Sequence, residues 1–125
     1  MNPNPNPPVF VIDDEEPVRV SLAKLLRAIG FPSRTFGSAM AFLASDALGE
    51  DACLLLDLRM PGMSGIDLIE ELARRQMDVP TIVMTGHTDM KSVQRLEAFP
   101  LIGFLEKPFS VTQLKELLDL WRSVA

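Results

Sequence analysis

Cysteine is almost missing from this sequence of 125 residues: Cys53 stands alone, so neither an internal disulfide framework nor a cysteine-based zinc site can be built. Histidine is as scarce. With His87 alone and no nucleophile motif beside it, a Ser-His-Asp or Cys-His hydrolase set is not supported. No apolar run approaches the roughly 20 residues that a bilayer-spanning helix needs. No basic start followed by an apolar stretch marks a signal peptide, so a cytoplasmic protein without membrane contact is expected. Basic residues are in deficit too: 12 Lys and Arg stand against 17 Asp and Glu, a net charge of −5, with the cations scattered among acidic neighbours. Nucleic acid recognition draws on a basic face that neutralises phosphates, so direct DNA binding by this segment is not expected. A Gly-rich phosphate loop of the P-loop type is absent as well.

What is present is an ordinary globular composition, 47% hydrophobic and 23% charged, on a length that suits one domain with one core. Residues 1–8 alternate Asn and Pro, which form neither helix nor sheet ladder, and are expected to be a flexible lead-in. Beyond them, apolar β-rich runs occupy residues 9–12, 52–56, 81–84 and 101–105, with a weaker one at 33–36. Runs this apolar suit strands covered on both faces, as in a parallel sheet. Cys53 lies inside one of them and is read as a small buried residue, with a reactive thiol as the alternative.

Helical spacing fills the intervals. Val18, Leu22, Leu25, Leu26 and Ile29 form one stripe, which Gly30 ends. Ser38 is placed to cap a helix carrying Met40, Phe42 and Leu43, and Ser64 one carrying Ile66, Ile69 and Leu72. Ser110, with Pro108 just outside, precedes Leu114, Leu117, Leu118 and Trp121. Residues 88–98 show only a narrow stripe, Val93 and Leu96, and predict a short helix. Strand followed by helix five times over implies right-handed crossovers and a parallel sheet with helices on both faces.

Chemistry in such folds collects at the carboxyl ends of the strands. There the sequence turns polar: Asp13-Asp14-Glu15 after the first strand, Asp57 after three leucines, Thr85-Gly86 after the fourth and Lys107-Pro108 after the fifth. Carboxylates gathered at one edge repel one another unless a cation sits among them. Mg²⁺ suits such a set because it prefers oxygen and takes one or two carboxylates, and Lys107 adds a second compensating charge. A carboxylate beside a divalent cation is a nucleophile toward phosphorus, with a lysine and a hydroxyl to steady the transferring group. Asp57, Lys107 and Thr85 supply those three functions. His87, close behind Thr85, either modulates access to the site or is simply solvated.

Four ordered motifs, Val11-Ile12-Asp13-Asp14-Glu15, Leu56-Asp57-Leu58-Arg59-Met60-Pro61-Gly62-Met63-Ser64-Gly65, Met84-Thr85-Gly86-His87 and Glu106-Lys107-Pro108-Phe109, resemble the receiver domains of two-component response regulators. With Arg34-Thr35-Phe36-Gly37-Ser38 they look most like the FixJ-like subclass. The resemblance implies a flavodoxin-like α/β fold over residues 9–125, with five parallel strands in the order 2-1-3-4-5, a doubly wound order shared with chemotaxis receivers. It implies Asp57 as phosphoacceptor for a sensor histidine kinase. It implies Mg²⁺ on Asp14, Asp57 and the backbone carbonyl of Arg59, with Asp13 helping directly or through water. Thr85 and Lys107 would contact the phosphoryl group, and the peptide before Pro108 would be cis.

Phe104 falls where receivers place a switch aromatic that turns inward as Thr85 moves, remodelling the face of the fourth helix, fifth strand and fifth helix. The alternative is a plain core residue. Relatives of this subclass usually carry a C-terminal DNA-binding output domain, which these residues do not include, and a phosphorylation-dependent homodimer is a further implied partner. Phe99-Pro100 stands where relatives commonly have Ala-Gly. Proline should end the fourth helix by Ala98 and leave Phe99 as an exposed hydrophobic contact, which bears on the dimer face. Turnover of an exogenous substrate is not expected, because the loops are short and no second general acid follows Asp57. A phosphate-independent interaction module on the same fold is the rival reading, one that the complete acidic set disfavours.

Overall fold

The computed structural model describes residues 6–86 and 90–124, and His87 lies outside them. Five strands, β1 (Val9–Ile12), β2 (Ser33–Phe36), β3 (Cys53–Asp57), β4 (Thr81–Thr85) and β5 (Gly103–Glu106), alternate with five helices. These are α1 (Glu16–Ala28), α2 (Ala39–Leu43), α3 (Gly65–Arg74), α4 (Met90–Leu96) and α5 (Val111–Val124). All four strand pairs are parallel and the sheet order is β2-β1-β3-β4-β5, as the resemblance implied.

Successive side chains of a strand point to opposite faces, and the two faces have separate cores. Val9, Val11, Cys53, Leu55, Ile82 and Met84 pack with Leu22 and Leu26 of α1 and Leu114, Leu118 and Trp121 of α5. Phe10, Ile12, Leu54, Leu56 and Val83 pack on the other side with Phe42, Leu68, Leu72 and Leu96. β1, β3 and β4 are therefore buried along their whole length, which explains their uninterrupted apolar runs. Cys53 is fully buried and desolvation pushes its thiol up to about 12, so it is a core residue rather than a reactive thiol.

Several expectations are corrected at the margins. β5 starts at Gly103 rather than residue 101 and, as an edge strand, is covered on one face only. The amide of Leu101 is taken by the carbonyl of Phe99, and the ladder resumes with Ile102 donating to Thr81. α4 ends at Leu96, and Phe99 is half-buried against the α2–α3 core instead of standing free. Met40, counted above among the inward residues of its helix, is 61% exposed, while Ala39 and Phe42 face the core. The lead-in is engaged from Asn6 onward: its side-chain amide donates to the Gly30 carbonyl at 2.8 Å, and the Pro8 carbonyl accepts from Cys53.

Helix ends follow local chemistry. Ser38 Oγ accepts from the amide of Ala41, and Ser64 and Asp67 form a reciprocal capping box at the start of α3. Ser110 and Gln113 repeat that exchange before α5. At the end of α1, Phe31 donates to Leu26 and Gly30, at φ 94°, donates to Arg27, the paired bonds of a left-handed stop.

Candidate functional site

Asp13 follows β1 directly, and Asp57 closes β3. Because Ile12 pairs with Leu56, the next residues, Asp13 and Asp57, come level at the carboxyl edge of the sheet. Asp14 is the following residue on the β1–α1 turn. One carboxylate oxygen from each of Asp13, Asp14 and Asp57 lies within 4.8 Å of the others. Asp13 is fully buried, Asp57 nearly so, and Asp14 exposed, so the group opens to solvent on one side.

Lys107, just past β5, reaches this cluster from the far side of β4. Its Nζ lies 3.1 Å from Asp13 Oδ2 and 3.6 Å from Asp57 Oδ1. Its amide donates to the Thr85 carbonyl at 2.8 Å, which ties the end of β5 to the end of β4, and the Lys107–Pro108 peptide is cis. Burial works against the lysine's charge. The hydrogen bond to Asp13 and the charges of Asp57, Asp13 and Glu15 outweigh it and hold the ammonium above its ordinary value.

Asp13 is spoken for: Oδ2 takes Lys107 and Oδ1 accepts from the amide of Glu15 at 2.9 Å. Asp57 Oδ1 accepts from the amide of Arg59 at 3.3 Å, while its Oδ2 receives no hydrogen bond from any described residue. Burial, with the nearby charges of Asp13 and Asp14, raises the Asp57 carboxyl from 3.8 to about 6 despite the pull of Lys107. One lysine thus does not balance three acids.

The remaining candidates are distributed around this centre. Thr85 is buried at the end of β4, one residue beyond the partner of Asp57 in the β3–β4 register. Arg59 contributes its amide to Asp57. Phe104 is 41% exposed on β5, so it is not the core residue that one reading made it. Spacing did not single out Gly65, yet a Cβ there would run into the backbone of Asp57 and Leu58, so α3 can start against the acid only with glycine. Nor did it single out Arg19, whose Nη1 donates to the Asp13 carbonyl at 2.7 Å.

The description of the response regulator receiver domain matches residues 9–119. The chain belongs to that family. This receiver is 40% identical over 111 residues to the transcriptional regulatory protein FixJ of Rhizobium meliloti strain 1021, covering 89% of the receiver and 54% of that protein. Nodulation protein W of Bradyrhizobium diazoefficiens is 41% identical over 111 residues, 89% of the receiver and 48% of that protein. The receiver thus spans about half the length of these curated relatives. The crystal structure of FixJ-N superposes with a TM-score of 0.84 at 39% identity and covers 92% of each chain.

The receiver's donor set fits a hard divalent cation. Its three oxygens are close enough to share one ion, none is a soft ligand, and the exposed side leaves room for water. Among the described residues no helix is long and apolar enough to cross a membrane.

Proposed function

We propose that the receiver is a cytoplasmic phosphorylation switch of a two-component system, taking a phosphoryl group from a sensor histidine kinase onto Asp57. The supporting observation is the convergence of Asp13, Asp14 and Asp57 within 4.8 Å at one sheet edge, with Lys107 beside them. Asp14, Asp57 and the backbone carbonyl of Arg59 would hold Mg²⁺, with Asp13 assisting directly or through water. Bound there, the ion supplies positive charge against the transferring phosphoryl group.

The rest falls to side chains of the chain itself. Oδ2 of Asp57, which accepts no hydrogen bond from any described residue, offers the attacking lone pair. Its bond to phosphorus forms as the donor's N–P bond breaks, and that electron pair returns to the imidazole nitrogen. Lys107 and the Thr85 hydroxyl take phosphoryl oxygens. Their closure on the new charge favours one of two packings of α4, β5 and α5, with Phe104 turning inward from its exposed position. An output domain, transcriptional in keeping with the names of the relatives, or a second copy of the receiver reads that face. No exogenous substrate is turned over.

Labelling with ³²P-acetyl phosphate in Mg²⁺ tests the reading. The wild type should take up an alkali-labile label, lost with EDTA and abolished in Asp57→Asn. Undiminished labelling of Asp57→Asn would remove the acceptor assignment.

A further inference from the structure

The carbonyl oxygen of Asp13 belongs to the same rigid peptide unit as the nitrogen of Asp14, so whatever holds that oxygen sets the plane from which Asp14 departs. Asp13 is braced on every side. Its amide donates to the Phe36 carbonyl, its carboxylate takes Lys107 and the Glu15 amide, and its carbonyl takes Nη1 of half-buried Arg19 at 2.7 Å. The Asp14 carboxylate is exposed and receives no hydrogen bond from any described residue, so its position depends on its backbone. The arginine is lodged in turn against the residue that follows β2: a Cβ on Gly37 would lie 3.3 Å from Nη1. The guanidinium thereby links the loops after β1 and β2.

We infer that Arg19 is a positioning residue for the acidic site, holding the Asp13–Asp14 peptide so that the Asp14 carboxylate stays within reach of Asp57. The inference rests on the magnesium reading of the trio given above. It goes beyond that reading in assigning work to a cation that touches neither the metal place nor the phosphoryl place.

Charge and geometry make opposite demands here. As a positive charge near three acids, Arg19 repels a divalent cation, so its removal should tighten binding. As a clamp on the peptide, its removal should loosen the ligand set and weaken binding. Supporting groups around metal ligands commonly matter at the level of tenfold or more.

Calorimetric titration of MgCl₂ into wild type, Arg19→Gln and Arg27→Gln at pH 7.5 separates the two. Arg27 lies on the same helix about two turns on, so its variant loses the same charge without the Asp13 contact. Arg19→Gln should bind Mg²⁺ about tenfold more weakly, while Arg27→Gln should bind as tightly as wild type or slightly more so. Urea midpoints in EDTA report the fold separately. If Arg19→Gln does not fold, Arg19→Lys replaces it: the charge is kept, so a loss of affinity comes from the altered contact to the Asp13 carbonyl. Binding by the Arg19 variant as tight as wild type overturns the assignment, and so does equal weakening in Arg27→Gln. A wild type without Mg²⁺ binding instead removes the magnesium reading, and this inference with it.

Discussion

At the scale of single residues, Asp57 carries an opposition between stability and function. Its carboxyl stands at about 6 in the folded chain against an ordinary 3.8, so the folded state holds the proton more tightly than the unfolded state does. The sign follows. This group costs nothing below pH ~4, its cost grows as pH rises through the interval to ~6, and the whole cost is present above that. Two units correspond to roughly 3 kcal/mol at most, to be reduced by whatever attraction to Lys107 is lost with the charge. Asp57→Asn cannot ionise. In EDTA at pH 7.5 it should be more stable than wild type by about 1–3 kcal/mol, and the difference should vanish near pH 4. Urea unfolding at both pH values checks this, and a variant less stable than wild type at pH 7.5 would contradict it.

At the scale of elements, the start of α3 shows how the site depends on packing rather than on charge. Gly65 donates its amide to the Leu58 carbonyl at 3.0 Å and lies against the backbone of Asp57. A methyl group there meets main-chain atoms that have no rotamer to retreat into, including Leu58 Cα at 2.9 Å. Gly65→Ala should cost about 2 kcal/mol or more in urea unfolding and should also weaken Mg²⁺ binding, because the strand end carrying Asp57 must shift. Gly62→Ala, three residues earlier, is the comparison. Its φ of 75° is strained for alanine but its Cβ would meet nothing, so the loss should be nearer 1 kcal/mol with metal binding kept.

Elements also differ in how plainly the sequence announces them. β3 and β4 are covered on both faces, so their apolar runs could be read directly, and the polar residue ending each run marked the site. β5 was misjudged because Leu101 and Ile102 are apolar without being strand: they turn into the two separate cores on either side of the sheet. Gln76 gave no signal at all, although at φ 59° it ends α3 in a left-handed conformation that glycine usually fills. Arg19 was equally silent, because spacing places a side chain on a helix face but cannot say which carbonyl it will find.

At the scale of the whole molecule, the acids sit where three separate connections of one sheet meet. Asp13 and Asp14 come from the β1–α1 turn, Asp57 from the end of β3, and Lys107 from beyond β5, so the cluster exists only when the sheet is assembled. An unfolded chain keeps Asp13 and Asp14 adjacent but brings neither Asp57 nor Lys107 to them. A metal held by this set must then stabilise the entire fold by mass action, about 2.7 kcal/mol at one hundred times its dissociation constant. For a domain of this size that corresponds to a rise of about 10 °C in Tm. The same ion competes with the proton on Asp57, since a protonated carboxyl is a poor ligand. Above the value of about 6 that competition is small, and below it each pH unit weakens binding by up to about tenfold. At that Mg²⁺ concentration the Tm rise over EDTA should be large at pH 7.5 and roughly halved at pH 5. Asp57→Asn, which keeps the fold and loses the charged ligand, should show a small rise at both. A shift that is equal at the two pH values in wild type would place the ion away from Asp57, whose raised value is what links binding to that pH interval.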